Sequence, residues 1–276
     1  MSVRDAGGAR LPAGDGIVFG YAWYALQGLA TPAHALLPRL RAVGFPLVET
    51  ALYADREHRL RLQDAGLDLG AALTGVASPE QARRELDAAA AAGARYARCK
   101  LLSPHHEPHE VDACLAALAE AGERLDLPIL VETHRDTATQ DLAATAALLA
   151  AHPSLRLTLD VSHWRIGGDW PPAPRTAREA GLRALVLARV GSLHLRVSDG
   201  ERIQVPLTAP HAEAIDAACA TWREAIATWA SRSPGAAMPI IVELLPPPYA
   251  QVDACGRETS DRWAESLALR ARLADG

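Results

Sequence analysis

Lysine is almost missing from this chain: of its 28 basic side chains only Lys100 is a lysine, and the rest are arginine. There is no basic run, and 33 acidic side chains give a formal net charge of −5. A chain so charged is poorly equipped to track a phosphate backbone, so nucleic acid is not an expected partner. Cysteine is scarce too. Cys99, Cys114, Cys219 and Cys255 include no C-x-x-C pair, which removes the usual signs of a zinc knuckle or a redox couple. No stretch of about 18 apolar residues is present to span a membrane. The opening MSVRDAGGARLPAGDG lacks the apolar core of a secretory leader, so a reduced, cytoplasmic setting is expected.

What the chain does have is apolar bulk, 49% hydrophobic against 22% charged residues, and a strict alternation of short strand-like runs with alanine-rich helical stretches. Strands are predicted near 16–22, 46–52, 67–74, 95–102, 127–134, 154–161, 190–197 and 239–245. Helices are predicted near 32–43, 56–65, 79–93, 110–124, 140–151, 173–187, 211–231 and 260–273. Ser78-Pro79-Glu80-Gln81 has the form of a capping box with proline at the first helical position, and Thr137 to Gln140 repeats the S/T-x-x-Q pattern. Gly44, Gly66 and Gly93 stand where helices should stop.

Eight strand–helix units in 276 residues match a single (β/α)₈ barrel over 1–276, a fold of about 250 residues. An open doubly wound sheet shares that periodicity. The polar residues decide between them: Glu49, Lys100, Glu132, His134, Asp160, His194, Arg196 and Glu243 fall at the C-terminal ends of otherwise apolar strands, where barrel enzymes carry their chemistry.

The last four strands each end in a metal ligand: Glu132 in ILVETH, Asp160 in LTLDVSHW, His194 in SLHLR and Glu243 in IIVELL. Adjacent strands of a barrel bring these four into one arc. Three carboxylates and an imidazole form a hard, oxygen-rich set with room for substrate oxygens, suited to Mn²⁺ first and also to Mg²⁺, Co²⁺ or Zn²⁺. Singly, each is as easily a satisfied polar group. Four in succession are not.

The segments VETH (131–134), LDVSHW (159–164), SLHLR (192–196) and IVELL (241–245) resemble those of the xylose-isomerase-like barrels, which include ketose 3-epimerases, hydroxypyruvate isomerases, inosose dehydratases and endonuclease IV. The resemblance spans nearly the whole barrel and is looser in its first half. It implies one divalent ion on Glu132, Asp160, His194 and Glu243, with Glu132 and Glu243 as the acid/base pair and His163 contacting a substrate oxygen. It also implies a sugar-like small-molecule substrate, carbohydrate metabolism and a homo-oligomer.

The remaining candidates each have a plainer role to weigh against the functional one. Arg196 shares a face with His194 and is placed to clamp a substrate; otherwise it pairs with a carboxylate such as Asp199. Arg202 competes for the same role. His134 shares a face with Glu132 and either orients it or packs in the core. Lys100 is an anion contact or a Schiff-base lysine, or a stem lying on the barrel. Trp164, with Trp23 and Trp170, either stacks on a substrate ring at the mouth or fills gaps between loops.

The expected activity is isomerisation or epimerisation of a hydroxy-carbonyl compound through an enediolate, whose charge a metal stabilises. A lyase or dehydratase acting on a sugar-like or keto-glycoside substrate begins with the same proton removal and stays open. A nuclease like endonuclease IV needs further histidines that the ends of strands two and three (ETALY, GAALT) lack. A non-catalytic barrel would leave the clustered carboxylates repelling one another.

Overall fold

The computed structural model describes residues 16–274; the opening segment, on which the expected absence of a secretory leader rests, and the two ends of the expected 1–276 domain lie outside them. Eight strands, β1 (Gly16–Ala22), β2 (Leu47–Thr50), β3 (Asp68–Val76), β4 (Ala97–Leu101), β5 (Ile129–Glu132), β6 (Leu157–Leu159), β7 (Val190–Leu195) and β8 (Ala237–Val242), pair in parallel in sequence order. β8 closes on β1 through six registered pairs, from Gly16 with Ala237 to Tyr21 with Val242. The sheet is therefore a closed barrel, and the open-sheet alternative is removed.

Around it run α1 (Ala33–Ala42), α2 (Arg56–Asp64), α3 (Pro79–Ala91), α4 (Pro108–Leu125), α5 (Leu142–Ala151), α6 (Val161–Arg165), α7 (Ala177–Leu187), α8 (Ala212–Arg232) and α9 (Arg262–Ala274). Closure dictates small residues where strands crowd. A Cβ on Gly20 would stand 2.5 Å from Ile241 and 3.2 Å from Leu47, side chains from the strands on either side. A Cβ on Gly70 would meet the Tyr96 ring at 2.8 Å, so this glycine lets a buried tyrosine lie inside the barrel.

The local signals hold at most boundaries. Ser78 accepts the Gln81 amide at 3.2 Å while the Gln81 side chain accepts the Ala77 amide, so the box closes one residue early. Gly44, Gly66 and Gly93 take positive φ (88°, 66° and 78°) just past the helix ends, the backbone region where a side chain is penalised. The Thr137 cap is a correction: its hydroxyl donates to the His134 carbonyl, and Asp141 caps α5 instead, accepting the Ala144 amide at 2.7 Å. β5 and β6 also end two residues earlier than expected, because the chain leaves the ladder to build the structures that carry the site. Among the described residues no helix is long and apolar enough to cross a membrane.

Candidate metal centre

The short β6 shows how the sequence makes the site. After Leu159 the backbone turns at Asp160, which caps α6: its Oδ1 accepts the Ser162 amide at 3.0 Å and the Ser162 hydroxyl at 2.6 Å. Thr133, just past the end of the neighbouring β5, locks the same residue by donating to its carbonyl (3.0 Å) and accepting its amide (2.9 Å). With Oδ1 committed, Oδ2 is the oxygen offered inward. One turn of α6 then carries His163 back over Asp160, its Nε2 3.6 Å from Oδ2.

Glu132, Asp160, His194 and Glu243 meet as the sequence predicts, each giving one ligand atom to a group in which all lie within 4.8 Å of one another. Glu132, Asp160 and His194 are fully buried, while Glu243 retains some exposure at the mouth. A second grouping, Glu132, His134 and His163, meets the same criterion and shares Glu132 with the first.

Two side chains not singled out in the sequence complete the floor. Arg98 on β4 is 5% exposed and places Nη1 2.7 Å from Glu132 Oε2, while Nε and Nη2 donate to Glu49 Oε1 at 3.0 and 2.9 Å. Tyr96 donates its hydroxyl to Glu49 Oε2 at 2.8 Å. A signal for both was available, since Tyr96, Arg98 and Lys100 alternate along one strand and so share its inward face. Glu49 is thereby tied into the cluster. Its Oε1 lies 3.2 Å from His194 Nε2, leaving Nδ1 turned to Glu243 Oε2 at 3.1 Å and Glu132 Oε1 at 3.8 Å.

The electrostatics of this group are one-sided. Among the described residues four carboxylates, three of them buried and Glu243 partly so, face two guanidiniums, Arg98 and Arg196. Burial disfavours charge on His194, yet the Glu243 and Glu49 carboxylates outweigh it and push its pKa up to about 10. Burial likewise opposes ionisation of Glu49, but Arg98 and His194 hold it at about 2. Glu243 is held well below the usual carboxylate range by Arg196 and His194, again against burial. Even with His194 protonated the carboxylates exceed the cations by one, which is the balance a divalent cation corrects on displacing that proton. Both Glu132 oxygens are buried and accept no aligned hydrogen bond, Oε2 being held by its ion pair with Arg98 Nη1 alone.

Arg196 joins the cluster rather than pairing with Asp199. Its Nη2 contacts Asp160 Oδ2, Glu243 Oε2 (3.1 Å) and His163 Nε2 (3.1 Å), and Nε donates to the Ser162 hydroxyl at 3.0 Å. Burial drives the His163 pKa down to about 2, so the ring is neutral. His134 packs on it at 3.8 Å between ring centroids, and its Nε2 accepts from Lys100 Nζ at 2.9 Å.

Two expected substrate contacts are not brought here. Arg202 is exposed on its loop and pairs with Asp199 at 3.1 Å, because the turn at 198–202 is closed by that carboxylate and by the Ser198 hydroxyl. Trp164 has no exposed surface: its indole donates to the Thr139 carbonyl at 2.9 Å and its ring packs on Trp170, so no face is left for a sugar. Trp23 and Trp170 are buried as well.

No family model matches the chain, and no curated protein matches it. Solved structures do resemble it. A probable 3-DHS dehydratase of Bacillus anthracis superposes with a TM-score of 0.59 at 14% identity, over 94% of this chain and 99% of that one. A xylose isomerase-like TIM barrel protein of Mycobacterium smegmatis, in complex with magnesium, gives 0.51 at 16%, over 90% and 92%. An AP endonuclease, family 2, of Brucella melitensis gives 0.52 at 15%, over 82% and 92%. At these identities the likeness is one of architecture, and the chain has the fold of the xylose isomerase-like TIM barrels.

Proposed function

We propose that this chain is a divalent-metal-dependent enzyme that isomerises or epimerises a sugar or related hydroxy-carbonyl compound by moving a proton beside its carbonyl. The observation that carries this reading is the convergence of Glu132, Asp160, His194 and Glu243 within 4.8 Å at the barrel mouth. The donor set fits a hard divalent ion with open coordination positions, Mn²⁺ first and Mg²⁺, Co²⁺ or Zn²⁺ also, and the excess of buried carboxylate charge favours it. Bound there, the ion supplies positive charge against negative charge developing on the substrate's oxygens.

The protein's own groups supply the rest. Glu132 and Glu243 stand on β5 and just beyond β8, with β6 and β7 between them, so they are able to flank a substrate and serve as proton acceptor and donor on either face. Arg98 pairs with Glu132, and Arg196 and His194 hold Glu243 well below the usual carboxylate range. His163 and Arg196 stand against Asp160 Oδ2, and we assign them to hold a substrate hydroxyl. A second reading, elimination of a β-hydroxyl after the same proton removal, is favoured by one feature: His163 Nδ1 is buried with no partner and is free to hydrogen-bond the departing hydroxyl, while the carboxyl that took the carbon-bound proton returns it so that water leaves.

The test is carbon–hydrogen exchange. Metal-loaded protein is incubated in D₂O with a panel of ketoses, polyols and keto-glycosides and followed by proton NMR. Deuterium should enter beside the carbonyl, and Glu243→Gln should slow entry by about 10²–10⁴-fold, since the amide keeps the shape but is no base. Substrate deuterated at that carbon detects an internal hydride shift as label retained at the neighbouring carbon. A substrate converted with no such C–H bond broken overturns both readings.

A further inference from the structure

Lys100 is singular in the sequence and unusual in the structure. It stands near the end of β4, half-buried, and its ammonium donates to His134 Nε2 at 2.9 Å. His134 Nδ1 is engaged by the Arg135 carbonyl, so Nε2 is the acceptor nitrogen and Lys100 spends one of its three N–H bonds on it. Among the described residues Lys100 has no acidic partner, and neither does Arg135, whose guanidinium lies 5.9 Å from the Tyr249 ring centroid. Arg196 approaches the same ring at 5.2 Å.

These contacts form a continuous rim. Lys100 bonds His134, His134 packs on His163, His163 bonds Arg196, Arg196 lies over Tyr249, and Tyr249 meets Arg135, which follows His134 in the chain. The rim adjoins the carboxylate cluster through Arg196. Its polarity is opposite to its surroundings: in a protein of net charge −5, Lys100 and Arg135 have no carboxylate partner among the described residues, and His134, Tyr249 and Arg196 connect them to the carboxylate cluster. Leaving them unpaired has a cost, because each is partly desolvated by histidine and tyrosine rings. That arrangement suits a ligand that brings its own negative charge.

We infer that Lys100 and Arg135 form an anion subsite, and that the substrate is a hydroxy-carbonyl compound carrying a carboxylate or phosphate at the end remote from the carbonyl. This inference rests on the metal-dependent reading of the cluster and narrows its substrate from neutral sugars to their anionic derivatives. The remaining ammonium protons of Lys100 and the guanidinium fork of Arg135 take the anionic oxygens, Tyr249 walls the chain between them, and the hydroxy-carbonyl end lies toward Asp160 and Glu243.

The experiment uses the full chain loaded with Mg²⁺ and three probes of equal carbon length, D-glucitol, D-gluconate and D-glucitol 6-phosphate, titrated by calorimetry, with metal content measured on each sample. At least one anion should bind about tenfold more tightly than glucitol, and Lys100→Met or Arg135→Met should remove about that factor while leaving glucitol affinity unchanged. Lys100→Arg, which keeps the charge, should retain the preference and so separates charge from packing. The inference is overturned if neither anion binds, if glucitol binds as well as both, or if the preference survives in the doubly substituted protein, as it would were the anion simply on the magnesium. Anion preference in samples that hold no magnesium would instead overturn the metal-centred reading and leave the subsite. Which anion wins distinguishes a sugar acid from a sugar phosphate.

Discussion

Glu49 Oε1 lies 3.2 Å from Nε2 of His194, and this contact orients the imidazole that Glu132 and Glu243 approach from the other side. A carboxylate behind a metal-binding histidine fixes its tautomer and raises its donor strength. Glu49→Gln should weaken divalent-metal affinity by about 10–100-fold, measured by competition with a chromogenic chelator, while far-ultraviolet dichroism stays native. Unchanged affinity would leave Glu49 as a counter-ion for Arg98 alone.

Proton release is the second expectation. In the metal-free protein His194 is raised to about 10 from the ordinary 6.5, so it is protonated at neutral pH. That raised value stabilises the metal-free fold fully below pH 6.5 and is lost as pH rises through about 10. An ion coordinated by His194 must displace the proton, so its affinity should rise with pH up to that point, with about one proton released per ion at pH 7. Calorimetry in buffers of different ionisation heat counts the protons. Release of none would take His194 out of the ligand set.

Arg98 is expected to be a stability residue as much as a functional one. Arg98→Met leaves Glu49 and Glu132 as buried carboxylates with their main cation gone, a loss of about 3–5 kcal/mol in urea unfolding of the metal-free protein. Added Mg²⁺ should restore part of it, because the ion replaces the missing positive charge. A loss below about 1 kcal/mol would mean that water reaches the cluster.

Trp164 should behave oppositely to a substrate contact. Trp164→Phe removes the indole bond to the Thr139 carbonyl and a little packing, costing about 1–3 kcal/mol of stability. KM for the true substrate should not change. A raised KM with native stability would return the tryptophan to the mouth.

The sequence determined the barrel and the convergence of four candidate ligands because both follow from the order and pattern of the strands. Alternating strand and helix patterns located all eight β/α units, and a ligand at the end of each of the last four strands needs only sequential pairing to become an arc around the mouth. Glu132, Asp160, His194 and Glu243 were legible for that reason. Chain order alone did not decide what fills the space between them. Arg98 reaches Glu132 and Glu49 across the barrel interior, from three different strands, and Arg196 turns to Asp160 and Glu243 instead of Asp199. Partner choice of this kind is set by closure, which brings side chains remote in sequence into a dry interior where each charge must find an opposite one. Trp164 illustrates the same limit. An indole one turn past a strand end has two directions open to it, and it was the packing of α6 against the Thr139 loop that buried the ring and sealed it from the mouth.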